Sequence, residues 1–188
     1  MNQVLKKSLA PDICESQRSD RAETLRSLRE ALRQKSAEHR EDPARLKVPT
    51  GIEAVDQMLL GGIQRGALTM ITGGWAAGKT SLALAPLIRV SRERLPVAIV
   101  DISGGLFPPV LARMGADLER ILFVRSGPGK AIWAVEQILR SGIFHGVLLI
   151  DSVLSRSHHG LKLNRAMLRK LQLASEAANA ITILVHSR

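Results

Sequence analysis

Short apolar runs alternate with segments of helical periodicity between residues 67 and 186. The runs are apolar almost throughout rather than at every second position, which is typical of strands buried on both faces of a parallel sheet. We predict strands at 67–72, 96–101, 121–124, 147–151 and 181–186. The segments between them repeat apolar residues about every 3.6 positions. We therefore predict helices at 79–90, 109–114, 130–140 and 163–178.

This alternation predicts an α/β domain at 48–188, with a mainly parallel sheet covered by helices on both faces. Residues 1–20 lack apolar periodicity and are predicted to form a disordered tail. Residues 21–47 are predicted to form a charged helix, at 21–39, followed by a linker. The helix carries one narrow apolar stripe, made of Leu25, Leu28 and Leu32. Such a helix must dock either on its own domain or on another subunit.

Composition restricts the classes of protein that remain. The chain has 188 residues, of which 45% are hydrophobic and 23% charged, so it is an ordinary globular chain of one domain plus an appendage. No apolar stretch is long enough to span a membrane and no secretory leader is visible, which predicts a cytoplasmic location with no membrane partner. Cys14 is the single cysteine, which excludes an intrachain disulfide. The net charge of +10 favours a polyanionic partner.

The most specific motif follows the first strand of the predicted domain. It is a complete G-x-x-x-x-G-K-[ST] match that opens a predicted helix. Glycines let such a loop curl so that backbone N–H groups face phosphate oxygens at a helix N-terminus. We predict that this loop binds ATP, against the alternative of a glycine-rich turn without a ligand. The predicted binding residues are Gly73, Gly74, Trp75, Ala76, Ala77, Gly78, Lys79, Thr80 and Ser81.

Three of the predicted site residues are assigned a role in binding a magnesium nucleotide. Lys79 is predicted to reach the β- and γ-phosphates and to act in catalysis, and the Thr80 hydroxyl is predicted to ligate Mg²⁺. Asp151 ends the strand predicted at 147–151, which we expect to neighbour the loop strand, and is predicted to supply a second metal-site oxygen. Many α/β strands end in aspartate for capping reasons, so this prediction depends on the pairing with the loop. Trp75 either stacks on a ligand or caps the loop.

Positive charge is concentrated between residues 152 and 175, where there are five basic residues and no acidic one. They are predicted to bind DNA through its phosphates, without sequence preference and with single strands favoured. The alternative is a solvated helix face. His158 and His159 form no metal pair, since no third ligand is evident in the sequence. The predicted DNA-binding residues are Arg156, Lys162, Arg165, Arg169 and Lys170.

Four segments in the same order resemble the RecA recombinase family over most of 48–187. They are the lead-in at 50–52, 55–56, 60–62 and 65–66, the loop itself, the second nucleotide motif at 151–153, and the helix and strand at 168–171 and 181–185. The resemblance implies a RecA-like nucleotide-binding core. It also implies that the 21–39 helix docks on an adjacent subunit, either RecA or a second copy of this chain.

The chain departs from the family's pattern at three functional positions. Ser103 stands where the family has its catalytic glutamate, and serine is a poor general base near neutral pH. Asp101 is the nearest substitute for that carboxylate. Val110 stands near the family's adenine-stacking tyrosine, and the chain has no tyrosine. The family's γ-phosphate-sensing glutamine would fall near Ser187.

These departures are similar to those of ImuA-type proteins, the RecA-like accessory factors of bacterial damage-induced mutagenesis. The resemblance implies an ATP-binding scaffold for translesion synthesis with weak or absent hydrolysis, working beside a Y-family-like polymerase homologue. The alternatives are an active DNA-dependent ATPase or recombinase acting on single strands, and a small P-loop kinase. Whether the chain is an enzyme stays open at this point.

Overall fold

The structure is a computed structural model that describes residues 47–74, 76–151 and 161–187. These residues belong to the second of the two units into which the chain divides, Ala44–Arg188. The predictions for the tail at 1–20, the helix at 21–39, Trp75, Arg156 and the His158–His159 pair lie outside the described residues.

A small antiparallel pair precedes the main sheet, and the apolar pattern did not predict it. Strand β1 (Lys47–Val48) pairs with strand β2 (Ile63–Gln64), and helix α1 (Glu53–Met58) lies between them in sequence. Asp56 organises this lead-in, because its carboxylate accepts hydrogen bonds from the N–H and hydroxyl groups of Thr50, both at 2.7 Å. Two-residue strands are too short to show a periodicity in the sequence.

Five parallel strands form the main sheet, which confirms the predicted α/β class. They are β3 (Leu68–Gly73), β4 (Val97–Asp101), β5 (Ile121–Arg125), β6 (Gly146–Asp151) and β7 (Ile181–Ser187). The strand order across the sheet is β3-β7-β6-β4-β5. The predicted strands therefore form in the predicted places, with bounds that differ by one residue.

Four helices connect these strands: α2 (Lys79–Arg92), α3 (Pro108–Arg113), α4 (Pro128–Arg140) and α5 (Arg165–Ala178). The last was predicted to begin at residue 163, but the Asn164 side chain accepts a hydrogen bond from Met167 N–H at 2.8 Å and caps the helix there. Pro128 fills the first turn of α4, where its missing N–H costs nothing. None of the described helices is long and apolar enough to cross a membrane.

The helices cover both faces of the sheet, and β6 shows how. Leu148 and Ile150 belong to a core shared with α2, while Leu149 belongs to a second core shared with α4 and α5. Each of these side chains is at most 2% exposed. Burying an aliphatic side chain of this size stabilises the fold by about 1.5–3 kcal/mol, so strands apolar on both faces hold two helical layers in place.

The loop, Asp101 and Asp151 all lie at the carboxyl edge of the sheet. The strand register pairs His186 of β7 with Thr72 of β3 on one side and with Asp151 of β6 on the other. The sequence placed Asp151 at the end of a strand neighbouring the loop strand, and this was wrong, because β7 lies between β3 and β6. Lateral order depends on crossover connections, which the order of strands along the chain does not define.

Candidate functional site

The predicted phosphate-binding loop leaves β3 at Gly73 and enters α2 at Lys79. Gly78 precedes the helix with a φ of +73°, in the left-handed region that glycine adopts without strain. A Cβ atom added to Gly78 would meet no described atom within 4 Å. Glycine is therefore needed here for its backbone conformation. The first N–H groups of α2 have no intrahelical acceptor and are available to an anion.

Lys79 is buried although it is a lysine, with 9% of its surface exposed. Its Nζ atom donates to the backbone carbonyl oxygens of Gly73, at 3.0 Å, and Gly74. The side chain thus curls back along the loop and places an ammonium group against the loop backbone. A phosphate group would bind here by drawing this ammonium from the carbonyl oxygens to its own oxygens.

The remaining loop residues are open to ligands. Gly74, Ala76, Ala77, Gly78 and Ser81 are exposed, and Thr80 is half-buried in the first turn of α2. The fold therefore keeps the predicted set together in one strand–loop–helix unit, with Trp75 outside the described residues.

Asp151 is 2% exposed at the carboxyl end of β6. Its Oδ2 atom accepts a hydrogen bond from Leu161 N–H at 3.0 Å and lies 2.7 Å from His186 Nδ1. Sequence reasoning missed His186. Its signal was a polar residue ending an apolar run, but its partner became visible only through the strand register.

The donor set fits a magnesium ion better than a softer metal. Thr80 and Asp151 offer a hydroxyl and a carboxylate oxygen, the hard ligands that Mg²⁺ prefers, and such sites are completed by substrate phosphates and water. In the described ranges, no group of three or more His, Cys, Asp or Glu side chains could hold a metal ion by itself. Any Mg²⁺ bound by these two residues would therefore depend on a nucleotide for its other ligands.

Asp101, the predicted substitute base, holds together the turn that follows β4. Its Oδ1 atom accepts from the Ser103 hydroxyl at 2.7 Å and from Gly104 N–H at 2.9 Å. Its Oδ2 atom accepts from Leu106 N–H at 2.9 Å. The carboxylate is 5% exposed and both of its oxygens are engaged by its own loop, so the geometry gives Asp101 a structural task.

The residue that the resemblance places near the adenine base, Val110, lies on α3. Val110 is 44% exposed there, and it offers an aliphatic side chain where stacking would require an aromatic ring. Phe107, just before α3, is 63% exposed and is an aromatic group that sequence reasoning did not consider. Its exposure at the start of this helix was not readable from the apolar pattern.

The predicted DNA-binding residues within the described ranges are all exposed: Lys162, Arg165, Arg169 and Lys170. Three of them lie on α5. Lys170 Nζ is 3.9 Å from Glu136 on α4, and Arg140 Nη2 approaches the same carboxylate at 2.8 Å. Part of the positive charge is thus balanced inside the helical layer, and Arg156 lies outside the described residues.

Comparison with known proteins defines the class of this domain. The sequence model of the RecA N-terminal domain matches residues 31–185. The chain therefore belongs to the RecA family, which confirms the resemblance found in its motifs.

Individual relatives show how much of the family's length is shared. The chain is 34% identical to Protein RecA of Arthrospira platensis over 116 residues, which are 60% of this chain and 32% of that protein. It is 32% identical to Protein RecA of Thermus thermophilus over 155 residues, which are 74% of this chain and 45% of that protein. The chain thus spans less than half the length of these curated relatives.

A solved structure supports the fold alone. The crystal structure of SulA from Pseudomonas aeruginosa superposes with a TM-score of 0.50 and 21% identity. The match covers 64% of this chain and 98% of SulA.

Proposed function

We propose that this chain is an ATP-binding protein of the bacterial DNA damage response, an ImuA-type accessory scaffold for translesion synthesis with weak or absent ATP hydrolysis. The observation that carries the proposal is the position of Lys79. It is buried in the first turn of α2, with its ammonium against the Gly73 and Gly74 carbonyl oxygens. Because the ammonium is buried, breaking these hydrogen bonds costs free energy unless an anion such as phosphate replaces the carbonyl oxygens.

Nucleotide binding follows from the chemistry of the loop. The N–H groups of the loop and of the first turn of α2 bind the phosphate oxygens, and Lys79 moves onto the β- and γ-phosphates. Thr80 and Asp151 hold the metal ion, and Mg²⁺ when bound neutralises phosphate charge. His186 contacts the carboxylate oxygen of Asp151 and so sets its orientation.

Weak hydrolysis is supported by the turn after β4. A general base must reach an attacking water with a free lone pair, and three of the roughly four acceptor positions of the Asp101 carboxylate are already used by its own loop. Ser103 occupies the glutamate position of the family, and its hydroxyl donates a hydrogen bond to Asp101. In this proposal ATP controls assembly rather than driving turnover.

The partners of the scaffold follow from charge and family membership. The basic residues of α5 and Lys162 bind single-stranded DNA through its phosphates, together with Arg156. The 21–39 helix docks on RecA or on a second copy of this chain, and a Y-family-like polymerase homologue is the protein partner. The proposed location is the cytoplasm.

An active DNA-dependent ATPase or recombinase is the second candidate. The observation that favours it is the buried carboxylate of Asp101, which lies at the same sheet edge as the loop and two residues from Ser103. In that case Asp101, or a group from another subunit, would serve as the base.

Two measurements separate these candidates. Binding of a fluorescent ATP analogue to the full chain is expected to need Mg²⁺ and to weaken about ten- to a hundredfold in Lys79→Ala, since a charge-assisted contact contributes about 1.5–3 kcal/mol. Single-turnover hydrolysis is expected to stay near the uncatalysed rate with or without single-stranded DNA, and to rise in Ser103→Glu. DNA-stimulated hydrolysis by the unmodified chain would favour the recombinase, and undisturbed binding in Lys79→Ala would overturn the nucleotide site.

A further inference from the structure

Helix α4 presents a tryptophan to solvent on the face opposite its core contacts. Val135 and Leu139 are buried against the sheet, whereas Trp133 is 63% exposed. At about 100° per residue, three further exposed side chains other than glycine lie within about 60° of Trp133 around the helix axis. We call this set the Trp133 stripe: Lys130, Trp133, Gln137 and Arg140.

Among the described residues, the indole ring is not part of the core beneath α4. That core is built from aliphatic side chains and Phe144, without Trp133. Tryptophan has a large apolar surface with a polar N–H at its edge, and exposed tryptophans flanked by cations are typical of recognition surfaces. A ring held on a rigid helix loses little conformational entropy when a ligand stacks on it.

Packing of α4 against α5 joins the Trp133 stripe to the basic residues already described. Glu136 connects the two helices, with Arg140 at 2.8 Å and Lys170 at 3.9 Å from its carboxylate oxygens. The two helices together carry five basic and two acidic residues. One of the two acidic residues, Glu136, is buried and pairs with Arg140 and Lys170, whose side chains both remain 66% exposed. The outer surface of this layer is therefore cationic around an exposed aromatic ring.

We propose that the Trp133 stripe binds single-stranded nucleic acid, with one base stacked on the indole of Trp133 and flanking phosphates on Lys130 and Arg140. These two cations are ten residues apart, or about 15 Å along the helix, with the indole between them. Base stacking on an aromatic ring tolerates any sequence, because every base has a π-face. The inference rests on the proposed function, since it adds a stacking group to the basic DNA-binding surface of α5.

Single strands fit this surface better than duplexes or acidic protein segments. Bases inside a duplex are already stacked on each other, so an exposed indole gains nothing from them without unstacking. An acidic peptide would satisfy Lys130 and Arg140 but would offer the indole no flat ring. No aromatic residue lies between 152 and 175, but α4, which packs against α5, carries Trp133.

Tryptophan fluorescence tests the inference on the full chain. The chain has two tryptophans, so Trp75→Phe leaves Trp133 as the single fluorophore. Oligo(dT) is expected to quench this emission, and a duplex of the same length is expected to quench it far less. Trp133→Ala should weaken oligo(dT) binding about tenfold, in line with the energy of one stacked base. Trp133→Phe should retain most of the affinity. Leu122→Ala, which removes a side chain 45% exposed on β5, away from α4 and α5, is the matched control and should bind normally.

The outcomes distinguish this inference from the function on which it rests. Normal oligo(dT) affinity in Trp133→Ala, combined with lost affinity in an Arg169→Ala/Lys170→Ala variant, would overturn the inference and leave the α5 DNA surface intact. No oligo(dT) binding by the unmodified chain, with ATP binding preserved, would overturn both the α5 surface and the Trp133 stripe. Polyglutamate that quenches Trp133 as strongly as oligo(dT) would overturn the inference in favour of an acidic protein partner.

Discussion

His186 Nδ1 lies 2.7 Å from Asp151 Oδ2, and the strand register places the same histidine beside Thr72 of the strand that leads into the loop. His186 therefore lies between the strand that leads into the phosphate-binding loop and the strand that ends at Asp151. Because Asp151 is buried and its Oδ2 atom is shared with Leu161 N–H, its orientation depends on few neighbours. His186 is a positioning residue in this arrangement.

We expect His186→Ala to weaken metal binding without removing a ligand. Loss of an outer contact to a ligating carboxylate commonly lowers metal affinity about ten- to a hundredfold. The Mg²⁺ concentration that half-saturates ATP-analogue binding should rise by about tenfold, whereas binding at saturating Mg²⁺ should be nearly normal. An unchanged Mg²⁺ requirement would show that Asp151 keeps its orientation without the imidazole.

Asp101→Asn should destabilise the protein rather than change its chemistry. The amide offers one acceptor oxygen where the carboxylate offers two, so the hydrogen bond from Leu106 N–H or those from Ser103 and Gly104 are lost. We expect the free energy of unfolding in urea to fall by about 1–3 kcal/mol. Ser103→Ala, which removes one donor to the same carboxylate, should cost less. A normal unfolding curve together with abolished hydrolysis would identify Asp101 as a base.

Gly78→Ala tests the backbone explanation of the loop glycine. A left-handed conformation costs an L-residue about 1–2 kcal/mol, and Gly78 has a φ of +73° with open space around its Cα. The unfolding free energy should therefore fall by about that amount. Gly74→Ala is the matched control, since an added Cβ also meets open space there and no positive φ is required. Equal effects of the two substitutions would contradict this account.

The hydrogen bonds that Asp56 accepts from Thr50 and Gly51 should be lost only at strongly acidic pH. Burial opposes ionisation of Asp56, but hydrogen bonds from the N–H and hydroxyl of Thr50 and from Gly51 N–H, with the charge of Arg89, lower its pKa below the ordinary 3.8. The stabilisation is therefore complete above the unfolded-state pKa and is lost as pH falls through the lower, folded-state pKa. The protection of the Thr50 and Gly51 amides against exchange, relative to unfolded peptide at the same pH, should stay constant from neutral pH down to about pH 4 and fall below it. Asp56→Asn should remove this pH dependence, and loss of protection already near pH 6 would contradict the assignment.

The salt dependence of DNA affinity should show how many phosphates α5 contacts. If Arg169 contacts one DNA phosphate, Arg169→Ala should reduce the slope of log affinity against log salt concentration by about 1. Lys170→Ala should reduce it less, because Lys170 lies 3.9 Å from Glu136 and part of its charge is already balanced. Fluorescence anisotropy of a labelled oligonucleotide at several salt concentrations measures both slopes. Identical slopes in all three proteins would mean that α5 does not contact phosphate.

The amino-acid sequence alone determined the five strands of the main sheet, the four helices that connect them and the loop at 73–81, because each is encoded by residues close together in the chain. Apolar runs buried on both faces define strands, a 3.6-residue repeat defines helices, and two glycines before a lysine define the loop. Only the tertiary structure decided the strand order, the His186–Asp151 contact, the hydrogen bonds of Asp101 within its own turn, and the packing of α4, which carries Trp133, against α5. Each of these depends on which distant segments pack together or on which lone pairs a fold has already used, and local sequence patterns carry no information about either.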